Sequence, residues 1–211
     1  MVFYIFFRLQ KQVDYLEANP DCTVCFHPVK VIYEDGSVEE TVYPEKNEFP
    51  LNTGRTDFNA FDLLRRNFIQ TNSVVYRWVG VDKIPDFFKK HTAGDFQLHF
   101  LHAVNGKIGY IDEIMGVYRK HSGGIYWHVD EKEHVLKIGE DWIDMLINMR
   151  NYYSNIYAEG FNDGISWTIL DYICILCEKG NYDKAIHYLH KYIEFASFVI
   201  PKIGDVLQVA K

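Results

Sequence analysis

Asp95 follows Gly94 in the segment HTAGDFQLHF, where a loop gives way to a helical pattern. A carboxylate at such a junction reaches into a cleft, the placement that a general base needs beside an attacking hydroxyl. The spacing Thr92-x-x-Asp95 also matches a capping box, in which the acid only reaches back to the cap amide. His99 and His102 stand further along the same helix, at i+4 and i+7 from Asp95, so all three share one face. That D-x3-H-x2-H stripe has the donors for a metal. Its histidines are interleaved with Phe96, Leu98, Phe100 and Leu101, however, which is the pattern of histidines at the edge of a core.

A second group lies in GVYRKHSGGIYW, Gly116 to Trp127. Val117 and Tyr118 read as strand, with Arg119 and His121 alternating onto one face and Lys120 on the other. A guanidinium can clamp a phosphate and a neutral imidazole can ligate a divalent cation. Gly123-Gly124 would let the loop fold over such a ligand. A strand with a polar edge and a glycine turn has the same spacing, and both readings stay open. The four cysteines form two C-x-x-C pairs, Cys22/Cys25 and Cys174/Cys177, but these lie far outside zinc-ribbon spacing. They read as buried free thiols, the first pair on a strand and the second facing the apolar side of a helix.

The elements that must position these groups follow from periodicity and punctuation. RLQKQVDYLEANPD carries Leu9, Val13 and Leu16 at helical spacing and stops at Asn19-Pro20. CTVCFHPVKVIY is one β-rich run, and YEDGSVEETVY is a hairpin with Asp35-Gly36 at its turn. DFNAFDLLRRN is a short helix with Asp57 as its cap, and TNSVVYRWV is a strand. The Asp95 helix ends at Asn105-Gly106, and KIGYIDEIMGVYRKH holds two short strands around Asp112-Glu113. Helices follow over 131–153, 165–178 and 182–198, the last pair similar to one tetratricopeptide-type hairpin. The expected organisation is a mixed α/β part over 1–128 and an all-helical extension over 129–211.

Composition bounds the partners. Apolar residues make up 48% of the 211-residue chain, ample for a core. With a net charge of −7 and no Lys/Arg run longer than two, a phosphate-tracking surface is excluded and no nucleic-acid partner is expected. No segment approaches the ~20 apolar residues of a membrane span. The opening MVFYIFF lacks a basic region and a cleavage site, so the chain reads as cytoplasmic, or peripheral to a membrane.

Taken in order, LQKQVDYLEANPDCTVCFHPVKVI, FIQTNSVVYR and GDFQLHFLHAVNGKIGYIDEIMGVYRKHSGG resemble the C-terminal half of a family 2 glycosyltransferase, over about residues 8 to 127. These are inverting nucleotide-sugar enzymes with the GT-A fold, so the resemblance implies an incomplete GT-A-like (Rossmann-like) mixed sheet with flanking helices. It implies that Asp95 is the catalytic base toward an acceptor hydroxyl. Arg119 and His121 resemble the family's strand-end Arg-x-His element. By that likeness His121 completes the coordination of a donor-bound Mn2+ or Mg2+, and Arg119 attends the diphosphate. The resemblance also places Thr71, Asn72 and Ser73 near the sugar or acceptor pocket.

The implied partners are a nucleotide-sugar donor and a glycan, lipid-linked or protein acceptor. The family's donor-binding half and its Asp-x-Asp motif have no counterpart in the 211 residues. A truncated product, one half of a split enzyme, and a non-catalytic interaction module derived from such an enzyme are therefore all expected forms.

Overall fold

The computed structural model describes residues 2–124 and 130–196, which divide into two compact units, Met1–His128 and Val129–Lys211. The boundary expected at 128/129 lies outside the described residues, as do Ile125 to Trp127 of the glycine-rich segment.

In the first unit, α1 (Val2–Ala18) starts well before the expected helix, the opening apolar run continuing its pattern. It ends where Asn19 folds its side-chain amide back onto the Tyr15 carbonyl. The β-rich run that follows is not one strand but two, β1 (Cys22–Phe26) and β2 (Val29–Tyr33). Pro28 lacks an N–H to continue the ladder, and the chain crosses at His27-Pro28 from one sheet to another.

The remaining strands are β3 (Thr41–Tyr43), β4 (Asp57–Phe58), β5 (Val75–Tyr76), β6 (Lys107–Tyr110) and β7 (Gly116–Lys120). A four-stranded sheet has the order β4-β6-β1-β5, with β1 and β6 parallel and both edges antiparallel. A three-stranded sheet has the order β3-β2-β7, with β2 and β7 parallel. The expected single mixed sheet is thus two small ones. Gly36 takes φ +67° at the hairpin turn, a left-handed conformation that glycine adopts without strain.

Two helices complete this unit, α2 (Ala60–Arg65) and α3 (Gly94–Ala103). The cap of α2 is Asn59 rather than Asp57, which lies in β4. Asn59 accepts from Phe61 and Asp62 while Asp62 reaches back to the Asn59 amide, a complete capping box. The core is an aromatic cluster, with the Phe26 ring 5.4 Å from Phe68 and 5.0 Å from Tyr110, and Phe58 5.4 Å from Phe68. Such tilted and edge-on contacts add to the area that these rings bury.

The second unit is helical, with α4 (Glu131–Tyr152), α5 (Ser154–Glu178) and α6 (Tyr182–Phe195). Asp130 caps α4 by accepting from the Glu133 amide. Both α4 and α6 pack on α5. Gly139 admits the Tyr172 ring, because a Cβ there would stand 2.8 Å from its Cδ2. Tyr172 meets Tyr188 edge-on at 4.9 Å. Among the described residues no helix is long and apolar enough to cross a membrane.

Candidate functional site

Asp95 enters the site from the first turn of α3, where a carboxylate is favoured by the helix dipole. The cap position is Ala93, which offers no side-chain acceptor, and the Asp95 carboxylate is used otherwise than in a capping box. Its Oδ1 accepts from the Phe96 amide at 2.8 Å and its Oδ2 accepts from the Thr71 hydroxyl at 2.7 Å. The loop that brings Thr71 there is a single 3-10 turn, Thr71–Ser73.

Side-chain hydrogen bonds hold that turn. Arg8 donates to the Asn72 carbonyl (2.7 Å), the Asn72 amide donates to the Val117 carbonyl (3.0 Å), and Ser73 Oγ donates to the Gln70 carbonyl (2.7 Å). Gln12, fully buried on α1, donates from Nε2 to the carbonyls of Cys25 (2.9 Å) and Ser73 (2.8 Å). Gln12→Leu takes a donor from two buried carbonyls, so chemical denaturation should show a loss of about 2 kcal/mol. An unchanged denaturation midpoint would remove this strut from the account.

Thr71, Asn72 and Asp95 line one cavity of about 800 Å3, walled on the other side by the β2–β3 hairpin and β7. Strand parity decides which side chains of β7 reach it. The parallel register sets Tyr118 beside Val31 and Lys120 beside Tyr33, and all four line the cavity. Arg119 pairs with Ile32 on the opposite face, where its guanidinium donates to Glu34 at 2.9 Å. His121 follows the strand, its carbonyl accepting from the Gly124 amide at 2.8 Å. Its ring lies against the same turn, 3.5 Å from where a Cβ on Gly123 would stand.

Of the residues singled out in the sequence, the structure therefore brings Asp95, Thr71 and Asn72 together. Ser73 is buried beneath them as a support. Arg119 and His121 do not line this cavity. Lys120, Tyr118, Tyr33 and Tyr43 do line it and went unremarked as site residues. Alternation along β7 already separated Lys120 from Arg119, but nothing local marks which face meets Asp95.

The histidine stripe of α3 turns inward. His99 and His102 are both fully buried, and His102 stacks on Tyr76 with ring centroids 4.3 Å apart. The Tyr76 hydroxyl and His99 Nδ1 share a hydrogen bond of 2.5 Å. Burial pushes the His99 imidazole down to about 4, with the nearby Asp95 charge opposing the shift, so it is neutral near neutral pH. Burial, reinforced by Asp95, pushes the Tyr76 phenol up. These groups form a largely buried neutral cluster rather than a ligand set.

Among the described residues, no group of three or more His, Cys, Asp or Glu side chains is placed to hold a metal ion. His121 offers one imidazole where a divalent ion takes four or more ligands. The residues described here therefore do not by themselves fit Mn2+ or Mg2+. The cysteines are free. Cys22 and Cys25 are buried, and desolvation pushes the Cys25 thiol up to about 12. Cys174 is half-buried and Cys177 exposed, contrary to the expectation of two buried pairs.

No family model matches the chain. Over 122 residues it is 49% identical to proteins of Mycobacterium bovis and of two strains of Mycobacterium tuberculosis, each named as an uncharacterized protein. The matched stretch is 57% of this chain and 32% of each relative, so it spans about a third of the relatives' length.

Proposed function

We propose that the first unit is the acceptor side of a GT-A-type glycosyltransferase, with Asp95 as the base of an inverting sugar transfer. The observation that carries this reading is the bond from the Thr71 hydroxyl to Asp95 Oδ2 at the cavity wall. A hydroxyl already donates to this carboxylate at 2.7 Å, the geometry that an acceptor hydroxyl would adopt. In transfer, the acceptor oxygen bonds to the anomeric carbon as its proton passes to Asp95. The bond from that carbon to the donor phosphate breaks on the opposite face, and the nucleoside diphosphate leaves with the electron pair. Attack from the face opposite the leaving group inverts the anomeric centre.

In this reading Thr71 and Asn72 shape the acceptor pocket, and Ser73 holds their turn. Arg119 and His121 would serve the donor diphosphate and its Mn2+ or Mg2+ only with acidic ligands from a donor-binding half outside the described residues. No step above depends on that ion. The setting is cytoplasmic, or peripheral to a membrane, where nucleotide-sugars meet glycan, lipid-linked or protein acceptors.

The test is a nucleoside-diphosphate titration with Mn2+ and a transfer assay. Both are run on this chain and on its fusion to a donor-binding half. The expected result is weak nucleotide binding by the chain and transfer with inverted anomeric configuration by the fusion. A fusion that binds nucleotide-sugar yet never transfers, with any acceptor class, would overturn the assignment.

A second reading, a non-catalytic interaction module, is favoured by a different observation. Tyr182, Ile186, Leu189 and Ile193 on α6 are 63%, 54%, 44% and 61% exposed. Their 4-3-4 spacing makes one apolar stripe along the outer face of that helix.

A further inference from the structure

We propose that the Asp95 cavity takes a saccharide bearing a negative group, a carboxylate or a phosphate, and that Lys120 binds that group. The inference rests on reading the cavity as the acceptor site and goes on to name the acceptor's chemical class. Its basis is a contrast with four other cations of this sheet and its borders; Arg8, which also forms no ion pair among the described residues, does not line the cavity. Lys30 pairs with Glu40, Lys46 with Asp112, Arg66 with Glu48 and Arg119 with Glu34. Lys120 forms no ion pair among the described residues. Its ammonium donates to the Tyr33 hydroxyl at 2.9 Å and lies 5.0 Å from the centre of the same ring.

The position makes that contrast informative. Lys120 is half-buried at the end of β7, beside Tyr33 at the end of the parallel strand β2. A lysine on an open surface keeps its charge in water and needs no partner. A partly desolvated ammonium gains from an anion, and a neutral phenol compensates it only in part. An ammonium has three donors, and Tyr33 accepts one of them. Of the cations lining this cavity, Arg66 is already held by Glu48 at 2.7 Å, which leaves Lys120 to meet an incoming charge.

The remaining lining suits a sugar. The volume of about 800 Å3 falls within the usual span of small-molecule sites. Tyr33, Tyr43 and Tyr118 put three aromatic rings in the lining, with the Tyr43 hydroxyl already donating to the Asn67 carbonyl, and Thr71, Asn72 and Gln70 add polar groups. Asp95 and Lys120 line the same space with opposite charges, beside Glu45 and the Glu48–Arg66 pair. One ligand can therefore give a hydroxyl to the carboxylate and an anionic substituent to the ammonium. A neutral sugar would leave Lys120 as it is, whereas an acidic one gains a charge-assisted hydrogen bond.

The experiment titrates the full chain by NMR or calorimetry with four probes: methyl glucuronide, glucose 6-phosphate, methyl glucoside and a nucleoside diphosphate. The expected result is tighter binding of the uronate, the sugar phosphate or both than of the neutral glycoside. Preference for one of the two identifies the anion's source. Lys120→Gln should weaken anionic binding by about tenfold to a hundredfold and erase the preference, while Lys120→Arg should keep most of it. A thermal melt of each variant separates lost binding from lost folding.

The titrations read binding and not transfer, so failure of the base assignment, which the transfer assay reads, is distinguishable from failure of this one. Three outcomes would overturn the proposal. These are equal affinity for charged and neutral sugars, an anion preference indifferent to Lys120→Gln in a folded variant, and Lys120-dependent binding of the nucleoside diphosphate alone.

Discussion

Asp95→Asn should lower sugar transfer by about 10²- to 10⁴-fold in the chain fused to a donor-binding half, the span that general-base catalysis contributes. The substitution keeps the shape of the side chain and an oxygen able to accept from the Thr71 hydroxyl or the Phe96 amide, the two partners of Asp95. On the proposed reading, what it removes is the basicity that would take the acceptor proton. Binding of donor and acceptor should change little, so the loss should fall on kcat rather than KM. Thermal stability should fall only slightly, since Asn keeps an oxygen acceptor for the Thr71 or Phe96 bond and gives up only the carboxylate's interaction with the helix dipole. Thr71→Val supplies the contrast. It removes the resident hydroxyl but leaves the base, and should cost far less activity. Full transfer by Asp95→Asn would take this residue out of the role.

The second large effect is loss of stability in mild acid. The His99 imidazole is held at about 4 in the folded protein, against 6.5 when exposed, and burial is the leading cause. Between those values the unfolded chain binds the extra proton, so stability rises with pH across that window. The contribution is fully present above about pH 6.5 and is lost progressively as pH falls toward about 4, amounting to the order of 3 kcal/mol. His27 and His102 shift in the same direction, again chiefly by burial, and deepen the loss. Urea midpoints measured from pH 7.5 to 4 should therefore fall steeply. The imidazole signals of His99 should show a neutral ring at pH 5.5. A His99 that titrates near 6.5 would remove this explanation.

Both predictions start from one helix that the sequence marks clearly, and they show where such marking stops. Asp95, His99 and His102 share a face by spacing alone. The tertiary arrangement divides that face, with the carboxylate at a cavity and both imidazoles under Tyr76. Similarly, CTVCFHPVKVIY reads as one strand because its residues are uniformly β-prone. The break at Pro28 becomes decisive only once two sheets compete for the chain. The cap of α2 moved from Asp57 to Asn59 for a comparable reason. Asp57 is taken up in pairing with Gly109 on β6, leaving the next polar side chain to cap the helix.

Local pattern by itself determined most of the helices and strands, though not the β1–β2 break or strand β4, together with the Asp35-Gly36 hairpin, the helical region after the mixed part, and Asp95 as the acid at a loop–helix junction. These follow from periods of two and 3.6 and from turn residues, which act over a few neighbours. Only the tertiary structure decided which face of β7 confronts Asp95. Alternation assigns Lys120 and Arg119 to opposite faces, but nothing in that strand says which is turned toward α3. Pairing of β7 with β2, a contact between segments more than eighty residues apart, settles it in favour of Lys120.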